Sequence, residues 1–140
     1  MKVLLVNGGP HPKGCTNRAL EEVEKALKEE GIETLIYHIP NVPLQDCIAC
    51  GSCAKTGKCV FDDCVNEISQ KFEEADGLVV GTPVYYGSAN ATLIAFLTRL
   101  FYSTPFDKTM KVGASAVVAR RGGISSTYDE INKFLSLIHI

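Results

Sequence analysis

The stretch "KVLLVNGGPHPKGCTN", Lys2 to Asn17, decides the fold class. Its first six residues are a short apolar, β-branched run that reads as a buried strand, and "GGPHPKGC" is a glycine- and proline-rich turn. The turn opens directly into "TNRALEEVEKALKEEG". There Leu20, Val23 and Leu27 fall at helical spacing, with Thr16 as the expected N-cap and Gly31 just past the end. A strand that passes through a glycine turn into a helix is the opening unit of a parallel α/β sheet.

The alternation continues along the chain. "ETLIYHI", from Glu33, is a second strand, and a cysteine-rich segment follows it. "VNEISQKFEEA" repeats the helical pattern through Val65, Ile68, Phe72 and Ala75, and "GLVVGTP", from Gly77, is a third strand. "SANATLIAFLTRLFY" is a helix apolar on more than one face; "KVGASAVVA", from Lys111, is a fourth strand leading into "RRGGISS" and a last helix from about Thr127. Strands apolar throughout, with helices between them, predict a parallel sheet covered on both faces. The expected organisation is one α/β domain over residues 1–140, with a cysteine-rich insert at 47–64 and no repeat or linker.

Composition narrows the chemistry. At 140 residues and 46% hydrophobic, the chain can bury a core without disulfide staples. The first residues lack a signal-peptide core and no segment reaches the roughly 18 apolar residues of a membrane span. The expectation is a cytoplasmic protein with no membrane partner, in a compartment where clustered cysteines serve metals or redox chemistry rather than disulfides. Fourteen basic and sixteen acidic residues give a net charge of -2 with no basic run, which argues against nucleic acid. The last six residues, "LSLIHI", Leu135 to Ile140, resemble the translation of a transposase end used to fragment DNA. They are expected to be non-native, with a natural amphipathic helix end as the alternative. The sheet is then expected to lack a fifth strand, leaving the fourth exposed.

In open parallel sheets, ligands bind beyond the carboxyl ends of the strands. After the first strand, backbone N–H groups of the glycine turn and the positive end of the helix converge on one point, suited to a phosphate, with Thr16, Asn17 and His11 able to add side-chain donors. After the third strand, Tyr85 and Tyr86 beside Pro83 and Gly87 suit a flat aromatic ligand; the bland alternative has one tyrosine packed inward and one solvated. After the fourth, Arg120 and Arg121 with Gly122 and Gly123 combine positive charge with flexibility.

"CIACGSCAKTGKC" places Cys47, Cys50, Cys53 and Cys59 in a Cys-x2-Cys-x2-Cys-x5-Cys pattern. With no second cysteine set in the chain, all four can hold one 4Fe-4S cluster. Structural zinc sites usually use two well-separated pairs. Redox-active free thiols remain a third reading. Cys64 reads as a small half-buried side chain, Asp62 and Asp63 as helix caps, and His38 as a strand residue without a mechanistic role. No hydrolytic set of residues is present, and no catalytic residue is assigned.

These motifs carry a family resemblance. The first loop resembles the "GSPRxxGNT" phosphate loop of the NADPH-dependent FMN reductase-like branch of flavodoxin-like proteins, and "GTPVYYGS" resembles that family's flavin-ring loop. The cysteine motif resembles that of the iron-sulfur flavoproteins within it. The resemblance covers Met1 to about Phe134. It implies a flavodoxin-like three-layer α/β/α fold with strand order 2-1-3-4. The FMN phosphate would lie against Gly8, Gly9, His11, Cys15, Thr16 and Asn17, and the isoalloxazine against Pro83, Val84, Tyr85, Tyr86 and Gly87. Arg120, Gly122 and Gly123 would close the other side. The chain departs from the family pattern at Gly9, where serine is usual, at His11, often arginine, and at Cys15, usually serine or asparagine.

The resemblance further implies a 4Fe-4S cluster on Cys47, Cys50, Cys53 and Cys59, beside the flavin, and NAD(P)H as an electron donor. It implies a homodimer or homotetramer, which the apolar helix from Leu93 to Phe101 suits. The expected function is an FMN-dependent oxidoreductase or electron-transfer flavoprotein passing electrons between FMN and the cluster. The alternatives are a cluster-free NAD(P)H-dependent FMN or quinone reductase with redox-active cysteines, and a zinc- or thiol-based binding module without flavin.

Overall fold

The computed structural model describes residues 1–139; Ile140, and the side chains of Leu137 and His139, lie outside the description. The first strand, β1 (Lys2–Asn7), is buried from Val3 onward because its residues face apolar layers on both sides. It pairs in parallel with β2 (Glu33–His38) and with β3 (Gly77–Tyr85), and β3 pairs in parallel with β5 (Val112–Val118). The parallel order is therefore β2-β1-β3-β5, the 2-1-3-4 order expected. A two-residue strand, β4 (Ser88–Ala89), adds an antiparallel hairpin at the end of β3. That strand is too short to leave an alternating pattern.

One face of the sheet is covered by α3 (Cys64–Glu74), α4 (Ala91–Ser103) and α5 (Ile124–His139). Leu4, Val6, Leu78 and Val80 meet Phe72, Phe96, Leu97 and Ile131 there in one buried cluster. On the other face α1 (Cys15–Glu29) packs Leu20 on Val3, Leu5 and Val79. That face is thinner: Val112 of β5 is 60% exposed, and β5 pairs only with β3 among the described residues. The expected exposure of the last strand is observed. The suspected non-native stretch Leu135–Ile140 ends outside the described residues at Ile140; within them, Leu135 and Ile138 are buried in the main core.

Four boundaries differ from the sequence reading. Gly14 rather than Thr16 caps α1, and Thr16 is the second helical residue, 5% exposed. The third strand runs to Tyr85 because β4 supplies partners for Val84 and Tyr85. The last helix starts at Ile124, three residues before Thr127. A single turn, α2 (Cys53–Thr56), forms inside the cysteine segment. Asp63 does cap α3, its carboxylate accepting from the Val65 amide at 3.1 Å. Gly31 follows α1 at φ 73, a left-handed C-terminal stop. No helix among the described residues is long and apolar enough to cross a membrane.

Phe72 is the anchor between helices and sheet: it is fully buried, with ring centroids 5.5 Å from Phe101 and 5.2 Å from Phe106. Phe72→Ala is expected to lower the unfolding free energy by about 3–5 kcal/mol in chemical denaturation. A loss below about 1 kcal/mol would mean that this cluster does not carry the core.

Candidate functional site

Because β1, β2, β3 and β5 are parallel, their following loops gather on one edge. The first loop is shaped from its own strand. Asn7, fully buried at the end of β1, accepts from the Gly9 amide through Oδ1 at 2.9 Å and donates to Asn17 Oδ1 at 3.1 Å. Two neighbours clamp the loop's carbonyls: Asn90 Nδ2 donates to Gly8 at 2.7 Å, and His38 Nε2 donates to Gly9 at 2.8 Å. The sequence reading gave no weight to Asn7, Asn90 or His38. Only the parallel pairing of strands brings them to this loop.

The loop turns its open side toward the start of α1. The amides of Cys15, Thr16 and Asn17 find no protein acceptor, as is usual in a first helical turn, and the first helical bond comes from Arg18 to Gly14. The Thr16 hydroxyl has no hydrogen-bond partner among the described residues, although the residue is 5% exposed. Gly9 faces it: a Cβ there would stand 3.1 Å from Thr16 Oγ1 and 3.1 Å from Asn7 Oδ1. A side chain at this position would need both neighbours to give by a few tenths of an ångström. Free amides, a free hydroxyl and the positive end of α1 make a cradle for an anion. Asn17 Nδ2 donates to Glu21 Oε1 at 2.7 Å. His11 and Cys15 are exposed at the rim.

Pro83, Val84 and Tyr85 lie on β3, and Tyr86 and Gly87 make a two-residue turn with φ of 52 and 79. Positive φ at both central residues is the type I′ geometry that matches strand twist. Both tyrosines are exposed, so neither packs inward. The hairpin is anchored by α5, where Glu130 accepts from the Ala89 amide at 2.8 Å and from Ser88 Oγ at 2.7 Å. Ser126 Oγ donates to Gly87 O at 2.6 Å. Gly123 lies directly against the turn: at φ 87, a Cβ would meet Gly87 Cα at 2.7 Å. Nothing lies within 4 Å of a Cβ at Gly122, and Arg120 and Arg121 are exposed without an ion pair among the described residues. The second and third loops therefore form one unit.

The cysteine segment runs away from this edge along α4. Cys47, Cys50, Cys53 and Cys59 line a single cleft together with Phe61, Arg99 and Tyr102. All are free thiols, Cys47 and Cys50 exposed and Cys53 and Cys59 half-buried. Left-handed turns at Ala49, Gly51 and Gly57 bend the segment around the cleft. Among the described residues no three potential ligands are drawn together at metal-binding range. Cys64 stays out of the cleft as expected: it is buried, and burial above all, then the Asp63 carboxylate, pushes its thiol upward. A groove bordered by Tyr85, Ser88 and Asn90 on one side and Leu44 and Asp46 on the other leads from the hairpin to the start of the segment.

A parallel 2-1-3-5 sheet with helices packed on both faces defines a flavodoxin-like α/β protein. The sequence matches the NADPH-dependent FMN reductase family over residues 1–139, and the chain belongs to that family of flavin-dependent oxidoreductases. It is 39% identical to an iron-sulfur flavoprotein of Methanocaldococcus jannaschii, the match covering 99% of this chain and 73% of that protein. An iron-sulfur flavoprotein of Methanosarcina thermophila is 33% identical, over 98% of this chain and 74% of that one. The fold is similar to that of an FMN-dependent NADH-azoreductase from Bacillus anthracis solved with FMN (TM-score 0.67, 10% identity, 100% of this chain and 83% of that chain). The chain thus spans about three quarters of the two flavoproteins' lengths.

Glu130 was invisible in the sequence and holds the tyrosine hairpin by two bonds. Glu130→Ala is expected to destabilise the fold by about 1–3 kcal/mol. Hydrogen exchange at the Ala89 amide should accelerate. An Ala89 amide equally protected in the variant would show that the hairpin is held by other contacts.

Proposed function

We propose that this chain binds FMN across its three loops, holds one 4Fe-4S cluster on Cys47, Cys50, Cys53 and Cys59, and passes electrons between them. The observation that carries the flavin reading is the first turn of α1, where the Cys15, Thr16 and Asn17 amides have no acceptor among the described residues, on the same sheet edge as the exposed Tyr85–Tyr86 hairpin. Cys15, Thr16 and Asn17 amides would bind the phosphate, with Gly8 and His11 at its margin. Tyr85, Tyr86 and Gly87 would present the surface for the flavin ring, with Pro83 and Val84 behind them. Gly122 and Gly123 would let the last loop approach from the other side, and Arg120 would favour an anionic ligand.

FMN exchanges two electrons with a hydride donor and single electrons with a cluster, which would make the protein a converter between the two kinds of carrier. NAD(P)H is the proposed donor, in a cytoplasmic homodimer or homotetramer. The four thiols would supply the donor set of one cluster: they are unpaired, line one cleft and are separated by left-handed turns at Ala49, Gly51 and Gly57. The names of the two flavoproteins above support this reading. A cluster-free FMN or quinone reductase with redox-active cysteines is the second reading, favoured by thiols that stand apart rather than converging.

Anaerobic reconstitution with FMN, iron and sulfide tests both parts. Thr16→Ala is expected to weaken FMN binding about ten- to a hundredfold by fluorescence titration, the loss of one bond to a charged group. Unchanged affinity would place the phosphate elsewhere. Cys50→Ala is expected to lose the cluster's broad visible absorbance while retaining FMN; a spectrum identical to wild type would sink the cluster and leave the second reading.

A further inference from the structure

Arg99 is buried to 1% exposure in α4, a helix whose other inward residues are mostly apolar. Every one of its donors is used. Nη1 donates to Asp63 Oδ2 at 2.8 Å and to Gln45 O at 3.1 Å, and Nη2 to Asp63 Oδ1 at 2.9 Å and to Phe61 O at 3.2 Å. The fifth, Nε–H, points to Cys59 Sγ at 3.2 Å. The Phe61 ring lies 5.0 Å from the guanidinium carbon. Gln45 lies just before the first cysteine of the motif, and Phe61 and Asp63 just after the last. One guanidinium therefore fastens both ends of the cysteine segment and touches one of its sulfurs.

Stability alone does not call for this arrangement. A buried ion pair seldom adds more than an apolar pair of the same volume, and the two bonds to Asp63 would already satisfy that carboxylate. The contacts left over, to Gln45, Phe61 and Cys59, all concern the cysteine segment. A neutral thiol is a weak acceptor, whereas a sulfur that carries negative charge on a metal is a strong one.

We infer that Arg99 is a positioning residue for the cysteine site: it clasps the segment so that the four sulfurs share one cleft, and its Nε–H to Cys59 raises the reduction potential of the cluster held there. This rests on the cluster reading proposed above. Hydrogen bonds to ligand sulfurs and a nearby cation stabilise the more negative, reduced state, so the sign of the effect is fixed. Lysine cannot replace the function, since its compact ammonium has three donors and no planar fork to span five acceptors.

The test uses the full chain, reconstituted anaerobically, as wild type, Arg99→Lys and Arg99→Gln. Iron, sulfide and FMN are counted, and potentials are read by redox titration, by electron paramagnetic resonance for the cluster and by absorbance for FMN. The cluster potential is expected to shift negative in both variants, further in Arg99→Gln, with the FMN potential unmoved. Arg99→Lys keeps a cation opposite Asp63 and carries the measurement where Arg99→Gln does not fold. A folded, FMN-bound Arg99→Lys chain that takes up no iron supports the clasp. A loaded variant with the wild-type cluster potential overturns the inference and leaves the cluster reading intact. Wild type that takes up no iron overturns both.

Discussion

The pairing of Arg99 with Asp63 is the constraint around which the lower half of the molecule is arranged. Asp63 does three things at once: it caps α3 through the Val65 amide, it neutralises a cation inside the α3–α4 interface, and it ends the cysteine segment. Removing either partner would strand a charge in a low-dielectric setting, a loss of several kcal/mol where a pair is fully buried. Asp63 keeps 31% side-chain exposure, which moderates that figure here. The pair therefore specifies where the segment sits more than it stabilises the fold. The segment has little core of its own, its exposed residues including Ile48 and Val60. It is held against α4 by hydrogen bonds to a single side chain, Arg99.

The upper edge is organised by a different rule. Its loops are fixed through backbone groups held by side chains from neighbouring elements: Asn90 and His38 on the first loop, Glu130 and Ser126 on the hairpin. Preorganisation of this kind lets a ligand bind without first ordering the chain. A groove bordered by Tyr85 and Asp46 joins the hairpin to the start of the cysteine segment.

Much of this was legible in the sequence. The strands at Lys2 and Gly77 announce themselves because parallel strands buried on both faces must be apolar throughout, and those at Glu33 and Lys111, which are less buried, by β-branched and apolar runs beside helices of clear period. The three loops and the four cysteines stand out for the same reason, as departures from that background. Hidden from the sequence were partners distant along the chain. Glu130 is one acid on an amphipathic helix, and Arg99 one cation in an apolar run; only the folded contacts distinguish them from solvated charges. The N-cap was misplaced because Thr16 has the right side chain for a cap, yet Gly14 takes the extended backbone and leaves the hydroxyl free. Arg99 stands more than two turns along α4 from the helix start, and the cysteine cleft lies beside it there.

Tyr86 occupies the first central position of its turn with φ 52, a conformation that asparagine or glycine adopts readily and an aromatic residue does not. A left-handed backbone disfavours such a side chain by about 1–2 kcal/mol. No packing offsets it, since the ring stands entirely clear of the protein. The turn thus holds its aromatic face outward at a standing thermodynamic loss. Selection of this domain for stability alone would favour glycine or asparagine in place of the tyrosine, and a thermally hardened version of the protein would carry a blank hairpin.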